Sequence, residues 1–248
     1  MNEAGQGRGV CLVIGAGEGL GASIGRAFAR EGLRVCVTRR PRHTEAIDKL
    51  AETIRAEGGE AHAFGLDARV EADVAALIER IEREIGAIEV LVFNIGANVR
   101  FPVVETTTRV YSKVWEMAAL AGFLVSREAA RGMIERGRGM VLFTGATASV
   151  RGGVGFSAFA GAKHALRALA QSLARELGPK GVHVAHVVID GAIDGAFIRG
   201  LMPDAAEKLA REEILVPDEI AKNYVWLYRQ KRSAWTFEMD LRPWSETW

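Results

Sequence analysis

Four glycines, Gly15, Gly17, Gly19 and Gly21, stand at every second position directly after the apolar run Val10–Ile14. Glycine lets a backbone come close to a charged group, and a helix starting just beyond offers free N–H groups and the positive end of its dipole. That is the chemistry of a cradle for a pyrophosphate or a similar anion. The flanking segments suit it: VCLVI reads as a buried parallel strand, and Ile24, Ala27 and Phe28 recur at helical spacing with Arg26, Arg30 and Glu31 opposite. The glycines fit the G-x-G-x-x-G dinucleotide fingerprint imperfectly, and such turns also occur where nothing binds. Dinucleotide binding is the expectation, because strand and helix bracket the turn as the mechanism requires.

The elements that would position this turn repeat along the chain. Short apolar strands are expected at residues 34–38, 61–65, 90–93, 140–143, 182–189 and 235–241. Helical spacing fills the gaps, including a long region at 108–136, bent near Gly122, and another at 156–177. Parallel strands need crossover connections, so the alternation predicts an α/β fold: a Rossmann-type doubly wound parallel sheet of about seven strands with helices on both faces. A single domain over 1–248 is expected, with a flap at 194–216 and an aromatic tail at 235–248 that carries Trp235, Phe237, Trp244 and Trp248. So much aromatic surface should pack on its own subunit or on a partner.

Composition narrows the function classes. In 248 residues, 49% hydrophobic, the formal net charge is only +1, so no global field pulls the chain toward nucleic acid or an anionic membrane. Cys11 and Cys36 fall inside apolar runs, where a thiol serves as a small hydrophobe. Residues 1–9 lack the apolar core of a signal peptide, and no run reaches the roughly 18 apolar residues of a membrane span. The expected location is cytoplasmic. The histidines and cysteines show neither H-x-x-x-H nor C-x-x-C spacing, so no metal site is expected.

Gly15-x-x-x-Gly19-x-Gly21 resembles the T-G-x-x-x-G-x-G turn of the short-chain dehydrogenase/reductase family, with Ile14 in place of the threonine. The resemblance covers almost the entire chain: Asp67 follows the third strand, Phe93-Asn94-Ile95-Gly96 resembles N-N-A-G, and Asp190-Gly191 stands where P-G is usual. It implies an oxidoreductase whose nicotinamide dinucleotide is held by Gly15, Gly17, Glu18, Gly19, Leu20, Gly21, Asp67, Ala68, Asn94, Ile95, Gly96, Thr144, Lys163, Asp190, Gly191 and Ile193. The lysine, in this family, bonds the nicotinamide ribose. At the end of the second strand Arg39 and Arg40 stand where NAD-type sites place a carboxylate, which favours NADP(H) over NAD(H); a solvated basic turn is the alternative.

The resemblance fails at the chemical centre. Family enzymes manage the proton with Tyr-x-x-x-Lys, a serine thirteen residues before the tyrosine, and an asparagine on the preceding long helix. Here the lysine position is Lys163, but the tyrosine position is Phe159, the serine position Ala146 and the asparagine position Ala118. A phenyl ring carries no exchangeable proton. Substitute donors in the same cleft on the family's geometry are Thr147, Ser149, Ser157, Asp190, His164 and Asp194, each with a structural reading as turn, cap or surface residue.

The resulting expectation is an NADP(H)-binding oxidoreductase with a non-standard active site, reducing a carbonyl or activated alkene of a small hydrophobic substrate. Pocket walls would come from Val99, Phe101, Val150, Phe156, Phe159, Ile193 and Phe197. A catalytically silent NADP(H) sensor or partner subunit, and a non-redox isomerase or lyase, are the alternatives. The two long helical regions match those that build family dimers, so a homodimer or homotetramer is expected.

Overall fold

The computed structural model describes residues 9–247. Its strands are β1 (Val10–Ile14), β2 (Arg34–Arg39), β3 (Glu60–Gly65), β4 (Ile88–Phe93), β5 (Gly139–Thr144), β6 (Val182–Ile189) and β7 (Glu238–Leu241). They form one sheet in the order β3-β2-β1-β4-β5-β6-β7, every pair parallel. The helices are α1 (Leu20–Arg30), α2 (Thr44–Ala56), α3 (Glu71–Glu84), α4 (Thr108–Trp115), α5 (Ala121–Arg136), α6 (Ser157–Leu177), α7 (Ala196–Leu201), α8 (Ala205–Ala210) and α9 (Pro217–Tyr228).

The central strands read as unbroken apolar runs because both of their faces are buried. Cys11 and Val13 turn toward Ile24, Phe28, Ile47 and Tyr224 of α1, α2 and α9. Leu12 and Ile14 turn the other way, toward Val74, Ile78, Val125 and Leu166 of α3, α5 and α6. Both cysteines are buried free thiols. Strand order reverses between β1 and β4, and the crevice outside such a reversal is where doubly wound sheets bind ligands.

Two local expectations are corrected. The long helical region is interrupted by a π turn, Glu116–Leu120, and Gly122 lies inside α5. A side chain at Gly122 would come within 2.6 Å of Leu166 Cδ1, so this glycine serves close helix packing. The last strand begins at Glu238 and not at residue 235, because the Thr236 N–H is taken by the Gln230 side chain at 2.8 Å. Trp235 instead stacks on His183 with ring centroids 4.7 Å apart.

The expected flap holds the short helices α7 and α8. Its base is closed by Asp194 N–H donating to Leu215 O at 2.8 Å and Leu215 N–H donating to Ala192 O at 2.9 Å. From the tail, Trp244 Nε1 donates to Arg211 O at 3.1 Å. Trp248 and residues 1–8 lie outside the described residues. No helix among the described residues is long and apolar enough to cross a membrane, and no group of metal-ligating side chains occurs among them.

Candidate functional site

Parallel pairing puts the C-terminal ends of β1 to β4 side by side, and a cavity of about 250 Å³ opens there. It is lined by Ile14, Gly15 and Gly17 after β1, Thr38, Arg39 and Arg40 at β2, Leu66, Asp67, Ala68 and Arg69 after β3, and Asn94, Ile95, Gly96 and Ala97 after β4. Met117, from the π turn, completes it. Nine residues singled out from sequence thus meet in one crevice: Gly15, Gly17, Arg39, Arg40, Asp67, Ala68, Asn94, Ile95 and Gly96.

The glycine turn is built for close approach. Gly15 has φ +90° and lies against Asn94, whose Nδ2 donates to Gly15 O at 3.1 Å. A side chain at Gly21 would fall 2.7 Å from Ala16 Cα, so this residue lets α1 pack on the strand end. At Gly19 it would meet open space, and no side chain caps α1 there. The first turn of α1 therefore keeps donors for an incoming anion, and the residues present fit a dinucleotide pyrophosphate. Glu18, Gly19, Leu20 and Gly21 shape the turn without lining the cavity; Glu18 is exposed and Leu20 buried.

Charge on the far side is positive. Arg69 donates to both oxygens of Asp67, at 2.8 and 2.6 Å, and those bonds hold the Asp67 carboxyl down to about 2. Burial, followed by the neighbouring Arg42 and Arg69, lowers Arg40 from its ordinary value. Sequence reading missed Arg69, although its place two residues after Asp67 was a signal. Met117 carried none.

Beyond Ile95 the character changes. Lys163 on α6 is 2% exposed, and its ammonium donates to Ile95 O at 3.0 Å and Thr144 O at 2.9 Å. Burial pushes it down to about 8. Phe159, 7% exposed, lies one turn earlier with its ring centroid 5.9 Å from that nitrogen. It joins Val114, Ala118, Ala148 and Ala162 in one apolar cluster, with Val99, Ala146 and Phe156 packed against it. Phe159, Ala118 and Ala146 therefore share a single apolar floor beside the ammonium.

The polar residues around this floor have partners elsewhere. Ser149 is fully buried and accepts from Ala146 N–H at 3.1 Å. Thr144 shares a hydrogen bond of 2.8 Å with the Tyr224 hydroxyl, a partner sequence reading missed. Thr147 donates to Asp190 Oδ1 at 2.5 Å, and Asp190 also lies 3.5 Å from Arg151 and 3.6 Å from Arg242. His164 contacts Ala160 O at 2.9 Å, and Ser157 is exposed. Arg199 grips Asp194 at 2.8 Å and holds its carboxyl below the usual range.

Neither these residues nor Lys163, Gly191 and Ile193 line the 250 Å³ cavity. Ile193, expected as a pocket wall, packs instead on the core and bridges to Leu215, because Gly191 turns the chain against Pro243. Of the other expected walls, Val99, Phe156 and Phe159 cluster together, while Phe101, Val150 and Phe197 are exposed.

One imidazole sits under the β5 end. His186 is wholly buried; its Nδ1 meets Glu238 at 2.9 Å, and its Nε2 has no hydrogen-bond partner among the described residues. The ring occupies the space a side chain at Gly145 would need. Gly145→Ala is expected to destabilise the fold by about 1–3 kcal/mol through overpacking, read as a lower urea midpoint. A midpoint equal to that of the wild type would contradict this packing.

Sheet order, glycine turn and switch-point crevice together define a Rossmann-type α/β protein. The chain belongs to the short-chain dehydrogenase family, whose sequence model, described as short chain dehydrogenase, matches residues 9–216. An uncharacterized oxidoreductase, YxjF, of Bacillus subtilis is 33% identical over 202 residues, covering 80% of this chain and 76% of that protein. Zerumbone synthase of Zingiber zerumbet is 31% identical over 180 residues, covering 71% of this chain; the chain spans 65% of that relative's length. Among solved structures, a short-chain dehydrogenase from Rhodopseudomonas palustris is 47% identical with a TM-score of 0.82, covering 95% of this chain and 99% of that one. A metagenomic short-chain oxidoreductase in complex with NADP is 25% identical with a TM-score of 0.78, covering 96% and 98%.

Proposed function

We propose that this protein is an NADP(H)-dependent oxidoreductase with a rebuilt active site, reducing a carbonyl or activated alkene of a small hydrophobic substrate. The observation that carries the reading is Lys163: an ammonium without a carboxylate partner among the described residues, buried in the protein and bonded to the carbonyl of crevice residue Ile95. A buried charge is costly, and a ribose hydroxyl would give it a further polar partner. Gly15, Gly17 and the first turn of α1 would hold the pyrophosphate, Arg39 and Arg40 the 2′-phosphate, and Lys163 the nicotinamide ribose. When bound, the nicotinamide supplies or accepts hydride.

Phe159, Ala146 and Ala118 occupy the family's tyrosine, serine and asparagine positions on this reading. They exclude water and give an apolar substrate a surface, but they donate no proton. A polarised alkene, whose reduced form can take its proton from solvent, fits this floor better than an unactivated ketone. The NADP-bound oxidoreductase among the structural neighbours supports the cofactor assignment. The segment 194–216 would cover the substrate, and α4, α5 and α6 would form the contacts of a homodimer or homotetramer.

Melting temperature is expected to rise with NADPH, and less with NADH, by binding linkage. Arg39→Gln combined with Arg40→Gln should weaken NADPH about 10- to 100-fold while changing NADH little, since bidentate guanidinium–phosphate bonds are lost. Equal losses for both cofactors in a titration would refute the 2′-phosphate role. Absorbance of NADPH against a panel of aldehydes, ketones and enones tests the reaction. A flat trace throughout would support a cofactor-binding sensor, the second reading, which the closed packing of Phe159 favours.

A further inference from the structure

We infer that the substrate of this site is an apolar compound bearing a carboxylate, and that Arg100 is the residue that receives the carboxylate; this rests on the oxidoreductase reading above. Four side chains carry the inference. Lys163 Nζ lies 5.9 Å from the Phe159 ring centroid, that ring lies 6.4 Å from the Phe156 ring, and the Arg100 guanidinium lies 5.8 Å from the Phe156 centroid. Outward from the crevice wall the order is cation, ring, ring, cation.

Arg100 is held at the outer end of this row by its surroundings. Its stem crosses Gly155, which has φ +82° and whose missing side chain would come within 2.9 Å of Arg100 Cγ. The two loops are tied by Phe101 N–H donating to Gly155 O at 2.9 Å. Three other arginines of this end of the molecule each meet a carboxylate: Arg151 meets Asp190, Arg199 meets Asp194, and Arg242 meets both Asp190 and Asp240. Arg100 forms no ion pair among the described residues. A guanidinium resting on an aromatic ring keeps its N–H edges available, and their planar fork matches a carboxylate bidentately.

An apolar body entering past Phe156 toward Phe159 would carry its reducible bond inward, on the Lys163 side of the row, and leave its other end at Arg100. A neutral compound would forgo the ionic contact at the outer end. The site therefore selects an acid over its uncharged analogue of the same shape.

The test uses the full chain and a ladder of phenylalkanoates from phenylacetate to phenylhexanoate, each paired with its primary amide, in thermal melts with and without NADP⁺. The best-fitting acid is expected to bind about tenfold more tightly than its amide, a factor charge-assisted bonds supply. Arg100→Gln should abolish that preference and leave the NADP⁺ shift unchanged; Arg100→Lys should retain part of it, without the bidentate fork. Acids and amides that bind alike along the whole ladder, or a preference that survives Arg100→Gln, would overturn the inference. An acid preference lost in Arg100→Gln but unaccompanied by any NADP⁺ or NADPH shift would keep the anion site and remove the cofactor reading.

Discussion

Phe159→Tyr combined with Ala146→Ser is expected to raise NADPH-dependent carbonyl reduction by about 10²- to 10⁴-fold over the wild type, the usual contribution of a positioned acid. The prediction rests on packing as well as on register. Phe159 and Ala146 touch the same apolar cluster, so a hydroxyl on each would arise in one place. Lys163, 5.9 Å from the ring centroid, would favour ionisation of the new phenol, since a neighbouring positive charge stabilises the phenolate. The serine would give the buried phenol a hydrogen-bond partner, which matters because an unpaired buried hydroxyl costs about 1–3 kcal/mol. Phe159→Tyr alone should therefore gain less activity and lose more stability than the pair. Initial rates of NADPH oxidation with a simple aryl ketone read the outcome. A double mutant that still shifts its melting temperature with NADPH yet stays inert would refute the assignment of Phe159 and Ala146 to the proton-transfer positions.

The second large effect concerns Lys163 in the cofactor-free protein. Its folded value of about 8 lies below the ordinary 10.5, so between these pH values the unfolded chain holds the proton more firmly than the folded one. Stability contributed by this group consequently rises with pH across that window, by about 3 kcal/mol at 1.36 kcal/mol per unit. Other buried groups oppose it: burial pushes the Cys36 thiol up to about 12 and raises Cys11, Tyr224 and Tyr228, which makes them lose stability as pH climbs. The difference between wild type and Lys163→Met cancels those contributions. From pH 7.5 to 11 the wild type should gain about 3 kcal/mol on the mutant in urea unfolding. A difference that stays constant over this range would show that the ammonium is not held in a desolvated site.

The strand and helix rhythm was legible because each link has a local cause. Strands buried on both faces must be apolar throughout, and parallel neighbours must be separated by a crossover helix. The glycine turn was legible for a similar reason: Gly15 at φ +90° and Gly21 against Ala16 answer to backbone demands that few other residues meet. The π turn was not, because Glu116–Leu120 carries no proline or glycine, and Gly122 drew attention that belonged to its contact with Leu166.

Residue types and their order along the chain carry by themselves the proposal that a phenyl and two methyl groups, Phe159, Ala146 and Ala118, stand in the family's tyrosine, serine and asparagine positions, with Lys163 kept. Those are matters of covalent composition and register, independent of packing. Only the tertiary structure decided that these three apolar groups share one floor, that Arg69 claims Asp67, that Thr147 and Asp190 are bonded, and that Arg100 rests on Phe156 with no acidic partner among the described residues. Each of those contacts joins side chains on different strand ends or loops. Their distances follow from how the sheet and its crossovers close in space, which no local pattern encodes.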